Sequence, residues 1–208
     1  MTIRRGAPWG EVRAVPDDVR IVDDDLALHH WVVRHRRAGQ AITDVGVRRG
    51  DLARTCGGGT PGRLDGPALY APVDVLRITA EPGTARERVT WAVSHLVARR
   101  SWWRGEVLLA MNAEFYGAFD VAPRAHPNDG KADLLRVGGD MPWRARRAAR
   151  RRAVTGTHLP HPQLASRQAP TVDEQFARPL VLWVDGERWG TASRVRIDVE
   201  PDALAVYL

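Results

Sequence analysis

Two apolar runs, Val107–Met111 and Ala132–Val137, flank a segment dense in turn chemistry and restrict the fold more than any other feature. Between them lie Asn112, a glycine bend at Gly117 and the loop 122–130, APRAHPNDG. Proline presets φ, while Asn, Asp and Gly tolerate tight turns, so the plain reading is two strands joined by a long shaped loop. A second region of the same kind runs over 180–208. Residues 180–184, the Asp185-Gly186 turn, Trp189-Gly190, and residues 195–199 and 204–208 read as three short strands. Asp-Gly between apolar runs is a hairpin signal in its own right.

At 208 residues the chain is one generous domain or a small one attached to a larger one. With 44% hydrophobic and 27% charged residues, a packed core is expected rather than wholesale disorder. The net charge is +6, nearly all of the positive charge being arginine, since Lys131 is the only lysine. A GC-rich genome accounts for part of that bias. The remainder favours anionic partners: phosphates, nucleotides, nucleic acid or an acidic membrane surface. Cys56 is the only cysteine, which excludes an intrachain disulfide and any multi-Cys metal site. The N-terminus lacks the apolar core of a signal peptide, and no run of 18 apolar residues exists. A cytoplasmic protein is expected, with any membrane contact peripheral.

The first 18 residues read as an irregular arm, and 19–22 as a short strand. Asp23, Asp24 and Asp25 supply an N-cap and a negative first turn for a helix over 26–38, ending at Gly39. With a strand over 42–47 this makes a β-α-β opening. His29 and His30 are adjacent, point in different directions and cannot form an i, i+4 metal pair, so they read as helix surface or core edge. Gly57 to Thr60 follows a short helical segment rather than preceding one, the wrong end of the dipole for an anion, and reads as a helix stop and loop. Cys56 reads as a small buried residue. The Gly- and Pro-rich stretch 57–72 is the candidate domain boundary, followed by strands over 73–79 and 89–98.

Two segments carry the basic character. In RRSWWRG, the adjacent Trp102 and Trp103 suit a membrane interface or a stacking platform, or one core tryptophan beside one under an arginine. Residues 141–153, MPWRARRAARRRA, predict a helix with Pro142 in its first turn and arginines around most of its circumference. Arg144, Arg147 and Arg151, with Trp102 and Trp103, are the candidate lipid- or anion-binding residues; a merely solvated helix and a nucleic-acid surface are the alternatives. No helix-turn-helix, zinc-finger or RNA-binding signature supports nucleic acid. His158-x-x-His161 is held extended by two prolines, without an acidic neighbour or third histidine, which argues against zinc.

The order of these motifs resembles bacterial lipid kinases of the diacylglycerol kinase, YegS-like family, mainly over 105–208. Asn112, Gly117, Ala122-Pro123 and Asn128-Asp129-Gly130 match one part of its C-terminal domain, and Val184-Asp185-Gly186-Glu187 with Val199 to Leu204 match its end. Gly50 to Gly57, GDLARTCG, is similar to a helix-opening segment after the family's nucleotide loop, and Gly156 and His158 to its turn before a later strand. The resemblance implies that Asp185 is the general base toward a lipid hydroxyl, with Glu187 its companion, and that Asp129 helps hold a divalent cation. Oxygen ligands there suit Mg²⁺ or Ca²⁺. The family's Gly-Gly-Asp-Gly-Thr phosphate loop is absent, which argues against bound ATP.

The expected fold is α+β: a reduced α/β segment over 1–65 beside an antiparallel β-sandwich over 66–208, like a lipid kinase C-terminal domain. The expected function is a lipid-kinase-like protein that binds phospholipid or anions, or regulates a partner, without catalysis. The alternatives are an active lipid kinase that transfers the ATP γ-phosphate, and a nucleic-acid-binding protein. A protein partner or homodimer through exposed sheet edges is compatible with any of these.

Overall fold

In the computed structural model, which describes residues 9–57 and 64–208, the apolar runs become strands of a continuous, mostly antiparallel sheet. The chain opens with β1 (Glu11–Ala14), β2 (Arg20–Val22), α1 (Asp25–Arg37), β3 (Val45–Val47) and α2 (Asp51–Thr55). Then come β4 (Pro67–Ala80), β5 (Arg88–Ala92), β6 (His95–Arg99) and β7 (Val107–Met111). A two-stranded ribbon, β8 (Phe115–Tyr116) and β9 (Phe119–Asp120), precedes β10 (Ala132–Val137) and α3 (Trp143–Ala153). The chain ends with β11 (Leu164–Ala169), β12 (Thr171–Val184) and β13 (Glu187–Tyr207). The sheet order is β1-β4-β13-β12-β6-β7-β10-β11, with β5 on β4, β3 on β13 and β2 on β3. Among the described residues, only β2–β3 and β3–β13 pair in parallel.

Alternation along β7 explains why all five of its residues are buried. Leu108 and Ala110 enter a central core with Leu76, Ile78, Leu96, Leu182 and Ile197. Val107, Leu109 and Met111 point the other way, into a second core closed by Ala149 of α3, Val121 and Leu164. Side chains of period two thus fill both faces, and a continuous apolar run is the sequence form of such a strand. A third core packs α1, β2, β3 and α2 on the ends of β4 and β13 through Leu28, Val32, Val45, Leu52, Val73 and Val206.

Several expectations are corrected in detail. The single strand over 89–98 is two, β5 and β6, because the chain breaks pairing at Val93 and Ser94, whose N–H groups bond a side chain instead. The C-terminal strands merge into β12 and β13, with register shifts between Gln175 and Leu180 and between Glu200 and Leu204 that absorb the bends. Residues 67–72, read as a connection, form the first part of β4 and pair with β1 and β13. The 1–65 segment shares the sheet through the β3–β13 pairing. Of the Gly57–Thr60 loop, positions 58–60 lie outside the described residues, as does most of the first half of the N-terminal arm.

Helix α1 begins as read, with Asp24 Oδ1 accepting the Ala27 N–H at 3.0 Å. The turn into α2 could not have been read locally. Gly50 has φ +131°, and a Cβ there would lie 2.1 Å from Oδ1 of the buried Asp25. Gly50→Ala is therefore expected to cost more than about 2 kcal/mol, from strain and overlap together, measured as the shift in urea midpoint. An unchanged midpoint would show that this close approach is not required.

Candidate functional site

The Asp185-Gly186 turn joins β12 to β13 with φ of 45° and 89°, the two left-handed residues of a tight hairpin. That geometry carries the Asp185 carboxylate inward. Oδ1 accepts the N–H groups of Ser94 and His95 at 2.9 and 2.8 Å, and Oδ2 accepts that of Val93 at 2.8 Å. The side chain has no exposed surface. The break between β5 and β6 is thus made by this carboxylate.

Around it the sheet and the N-terminal helices gather further titratable groups. His29 of α1 donates from Nδ1 to the Trp91 carbonyl at 2.7 Å, with Asp185 Oδ2 3.4 Å away. Burial pulls its pKa down, but the Asp185 carboxylate and the Trp91 carbonyl outweigh this and raise it. His95 Nδ1 stands 3.9 Å from Asp51 Oδ2; burial lowers the pKa of this imidazole against the pull of Asp185 and Asp51. Asp25 Oδ2 accepts the Asp51 and Leu52 N–H groups at 2.7 and 3.3 Å, so the protein's own carboxylate fills the start of α2. Burial pushes Asp25 up to about 7; the Ser94 hydroxyl opposes the rise, and the charges of Asp185 and Asp51 add to it. That hydroxyl and Asp25 Oδ1 are both buried and outside hydrogen-bond geometry.

The GDLART segment grips the β8–β9 ribbon. Asp51 accepts the Gly117 N–H at 3.0 Å, Arg54 donates to the Gly117 carbonyl at 2.9 Å, and Thr55 Oγ1 accepts the Glu114 N–H at 2.9 Å. The Arg54 guanidinium also lies 3.7 Å over the Phe115 ring. The ribbon in turn walls an apolar cavity of about 130 Å³ under α3, lined by Trp102, Leu109, Tyr116, Phe119, Leu135 and Met141 among others. Tyr116 meets His95 edge-on, ring centroids 4.8 Å apart, and so links the cavity to the Asp185 cluster.

The residues singled out in the sequence fall in different places. Arg144, Arg147 and Arg151 lie on the solvent side of α3. Trp103 is 44% exposed, whereas Trp102 packs partly buried in the outer core under Arg99, whose guanidinium is 4.5 Å from its ring. Arg146, counted with the other helix arginines, is buried instead: it donates to the carbonyls of Met141, Trp102, Gly105 and Gly138 at 2.5 to 3.4 Å. Glu187 is half-exposed and bonds His30 Nε2 at 2.7 Å. Of the His-x-x-His pair, His158 is buried against the cavity, while His161 Nδ1 accepts the Gln163 N–H at 3.1 Å. Burial pushes the Cys56 thiol up, as expected of an inert cysteine.

Asp129 Oδ1 accepts the Lys131 N–H at 3.0 Å in an Asx-type turn. The neighbouring Asp74 has its oxygens engaged by the Gly130 and Asp202 N–H groups at 2.7 and 2.9 Å. Among the described residues, three His, Cys, Asp or Glu side chains with ligand atoms mutually within 4.8 Å occur at His29, His30 and Glu187. Sequence reasoning missed Asp25, Asp74 and Arg146 as structural centres, because their partners are backbone groups far along the chain or in irregular loops.

A sheet folded over two cores, with the Asp-Gly turn buried at one end and a basic helix over the other face, is consistent with the lipid- and NAD-kinase type of β-sandwich. A model of the "YegS C-terminal NAD kinase beta sandwich-like domain" matches residues 86–208, and the chain belongs to this family. A protein of Bacillus anthracis str. Sterne assigned as a diacylglycerol kinase is similar in fold, with TM-score 0.69 and 12% identity over 92% of this chain and 78% of that one. A diacylglycerol kinase of the same organism is similar at TM-score 0.63 and 12% identity, over 94% of this chain and 78% of its own. At that identity the likeness establishes the fold. No curated protein sequence matches significantly. No helix among the described residues is long and apolar enough to cross a membrane.

Two outcomes follow from this geometry. Asp185→Asn replaces one acceptor oxygen by a donor facing a backbone donor and is expected to cost about 2–5 kcal/mol of stability in chemical denaturation. Full stability in this variant would instead mean that the carboxylate is not a fastener. For Asp25, the folded state holds a proton that the unfolded chain has released, so the associated stability is present below about pH 4 and is lost as pH rises toward 7. Thermal melts should show the wild type losing on the order of 2–4 kcal/mol relative to Asp25→Asn across that window. Parallel pH profiles would contradict this assignment.

Proposed function

We propose that this lipid-kinase-like protein binds an anionic phospholipid, with the end of an acyl chain in the cavity under α3 and the headgroup against its arginines, and does not phosphorylate it. The observation that carries this reading is the juxtaposition of apolar cavity and basic rim. The cavity's volume, about 130 Å³, is comparable to the roughly 150 Å³ of an engineered apolar cavity that stays dry and binds benzene. At its edge Arg150 lies 4.8 Å over Phe119 and 5.6 Å over Trp103. Exposed Trp103 and Trp143, with Arg144, Arg147 and Arg151 beside them, have the amphipathic composition that favours a membrane interface.

Two features support binding without catalysis. A general base needs a free lone pair within reach of the substrate hydroxyl, whereas the Asp185 oxygens accept three backbone N–H groups and have no exposed surface. The backbone N–H groups that open the short helix α2 are taken by the protein's own Asp25. One contact favours the active-kinase reading as the alternative: Tyr116 couples the cavity to His95, beside Asp185. ATP-dependent phosphorylation of a lipid alcohol would establish that alternative.

The test is flotation with phosphatidylglycerol and phosphatidylcholine vesicles. Binding should require the anionic lipid, and reversing Arg144, Arg147 and Arg151 to Glu should weaken it by about two orders of magnitude, at roughly 1 kcal/mol per basic residue. Ala149→Phe, which fills the cavity from α3, should reduce retention on vesicles while leaving the net charge unchanged. Equal binding by the charge-reversed protein would overturn the proposal. Tight, steeply salt-dependent binding to DNA in place of vesicles would move the helix to the nucleic-acid reading.

A further inference from the structure

We infer that His29, His30 and Glu187 form a binding site for a divalent transition ion, best suited to Zn²⁺, at the mouth of the Asp185 cluster. One ligand atom from each of the three lies within 4.8 Å of the other two. The site is assembled from two elements distant in sequence: consecutive residues of α1 and the first residue of β13, immediately beyond the Asp185-Gly186 turn. Neighbouring helix residues diverge by about 100°, so two adjacent histidines do not chelate through helix geometry alone. Here the hairpin meets the helix flank between them. The rings stand 5.4 Å apart at 54°, and Glu187 reaches His30 Nε2 at 2.7 Å.

The surroundings have the form of a metal site's supporting shell. His29 is 5% exposed, and its Nδ1 donates to the Trp91 carbonyl at 2.7 Å, which leaves Nε2 as the nitrogen with a free lone pair. A ligating histidine characteristically donates its other N–H to a carbonyl or carboxylate, which fixes the tautomer and the ring. Asp185 Oδ2 stands 3.4 Å from the same Nδ1 and is itself held by a backbone N–H. His30 and Glu187 are half-exposed, with 53% and 51% of their side-chain surface accessible, so they are free to close on an ion from solution. Zinc bonds of about 2.0–2.2 Å in tetrahedral geometry would draw the ligand atoms to roughly 3.4 Å apart, a small movement for two surface side chains.

Two imidazoles and one carboxylate select Zn²⁺ or a neighbouring transition ion over Mg²⁺, which prefers an all-oxygen shell. Three protein ligands leave a fourth position open to water or to an anionic ligand. The site involves neither α3 nor the apolar cavity, so it stands or falls independently of the lipid reading. The bland alternative is an ordinary His30–Glu187 surface pair, and the experiment separates the two.

Untagged full-length protein is titrated with Zn²⁺ in competition with a chromophoric chelator, and with Co²⁺ while the visible spectrum is followed. The expected result is one saturable equivalent, with Co²⁺ bands of tetrahedral or five-coordinate geometry. His30→Ala and Glu187→Gln should each weaken zinc binding by at least about tenfold, as loss of a first ligand should cost no less than loss of an outer partner. Circular dichroism and melting in EDTA should be unchanged in both variants, whose side chains are half-exposed. His29 is left intact because its buried hydrogen bond belongs to the fold. Absence of a saturable equivalent in the wild type, or undiminished affinity in both variants, would overturn the inference.

Discussion

The Asp185 carboxylate is the interaction on which the rest of this architecture turns. Three consecutive N–H groups, of Val93, Ser94 and His95, give up strand pairing to bond it. An ionised carboxylate can be buried at modest cost only when donors replace its water, and charge-assisted bonds of this kind are stronger than neutral ones. The same contact separates β5 from β6 and fixes the β12–β13 turn. It also sets one wall against which His29 packs. Removing it would leave buried amides without partners at the point where the N-terminal helices meet the sandwich.

The same device recurs twice. Asp74, fully buried, ties the 127–130 loop to the β13 bulge by accepting N–H groups from Gly130 and Asp202, while Asn112 Nδ2 bonds its carbonyl. Arg146 does the complementary work with carbonyls, joining the 102–105 connection to residues 138 and 141. In each case one charged group satisfies several backbone groups of an irregular segment, which cannot satisfy themselves within a sheet. Loops that surround the cavity and the hairpin are therefore positioned by buried charge rather than by apolar packing.

What could be read from the sequence follows from this division. Period-two alternation and turn chemistry are local, so β7, β10, α1 and the Asp-Gly hairpin were legible at nearly their observed bounds, and the order of motifs pointed to the family. The β5–β6 break was not legible, because VTWAVSHLVA holds no Gly, Pro, Asn or Asp to mark a turn and its break is imposed by a residue about 90 positions away. Arg146 was hidden for the opposite reason. Its neighbours on the helix are solvated arginines of the same type, and nothing in MPWRARRAARRRA distinguishes the one that turns inward. The pairing of Glu187 with His30 spans 157 positions and has no local signature at all.

Within the junction the acids are not held equivalently. Asp185 has both oxygens held by backbone donors that cannot be withdrawn without moving the β5–β6 break. Asp25 has one oxygen bonded to backbone N–H groups and only the Ser94 hydroxyl to oppose its burial otherwise, and its carboxyl is pushed up to about 7. His95 is similarly buried with both ring nitrogens unpaired. A change of charge near neutral pH therefore falls on Asp25.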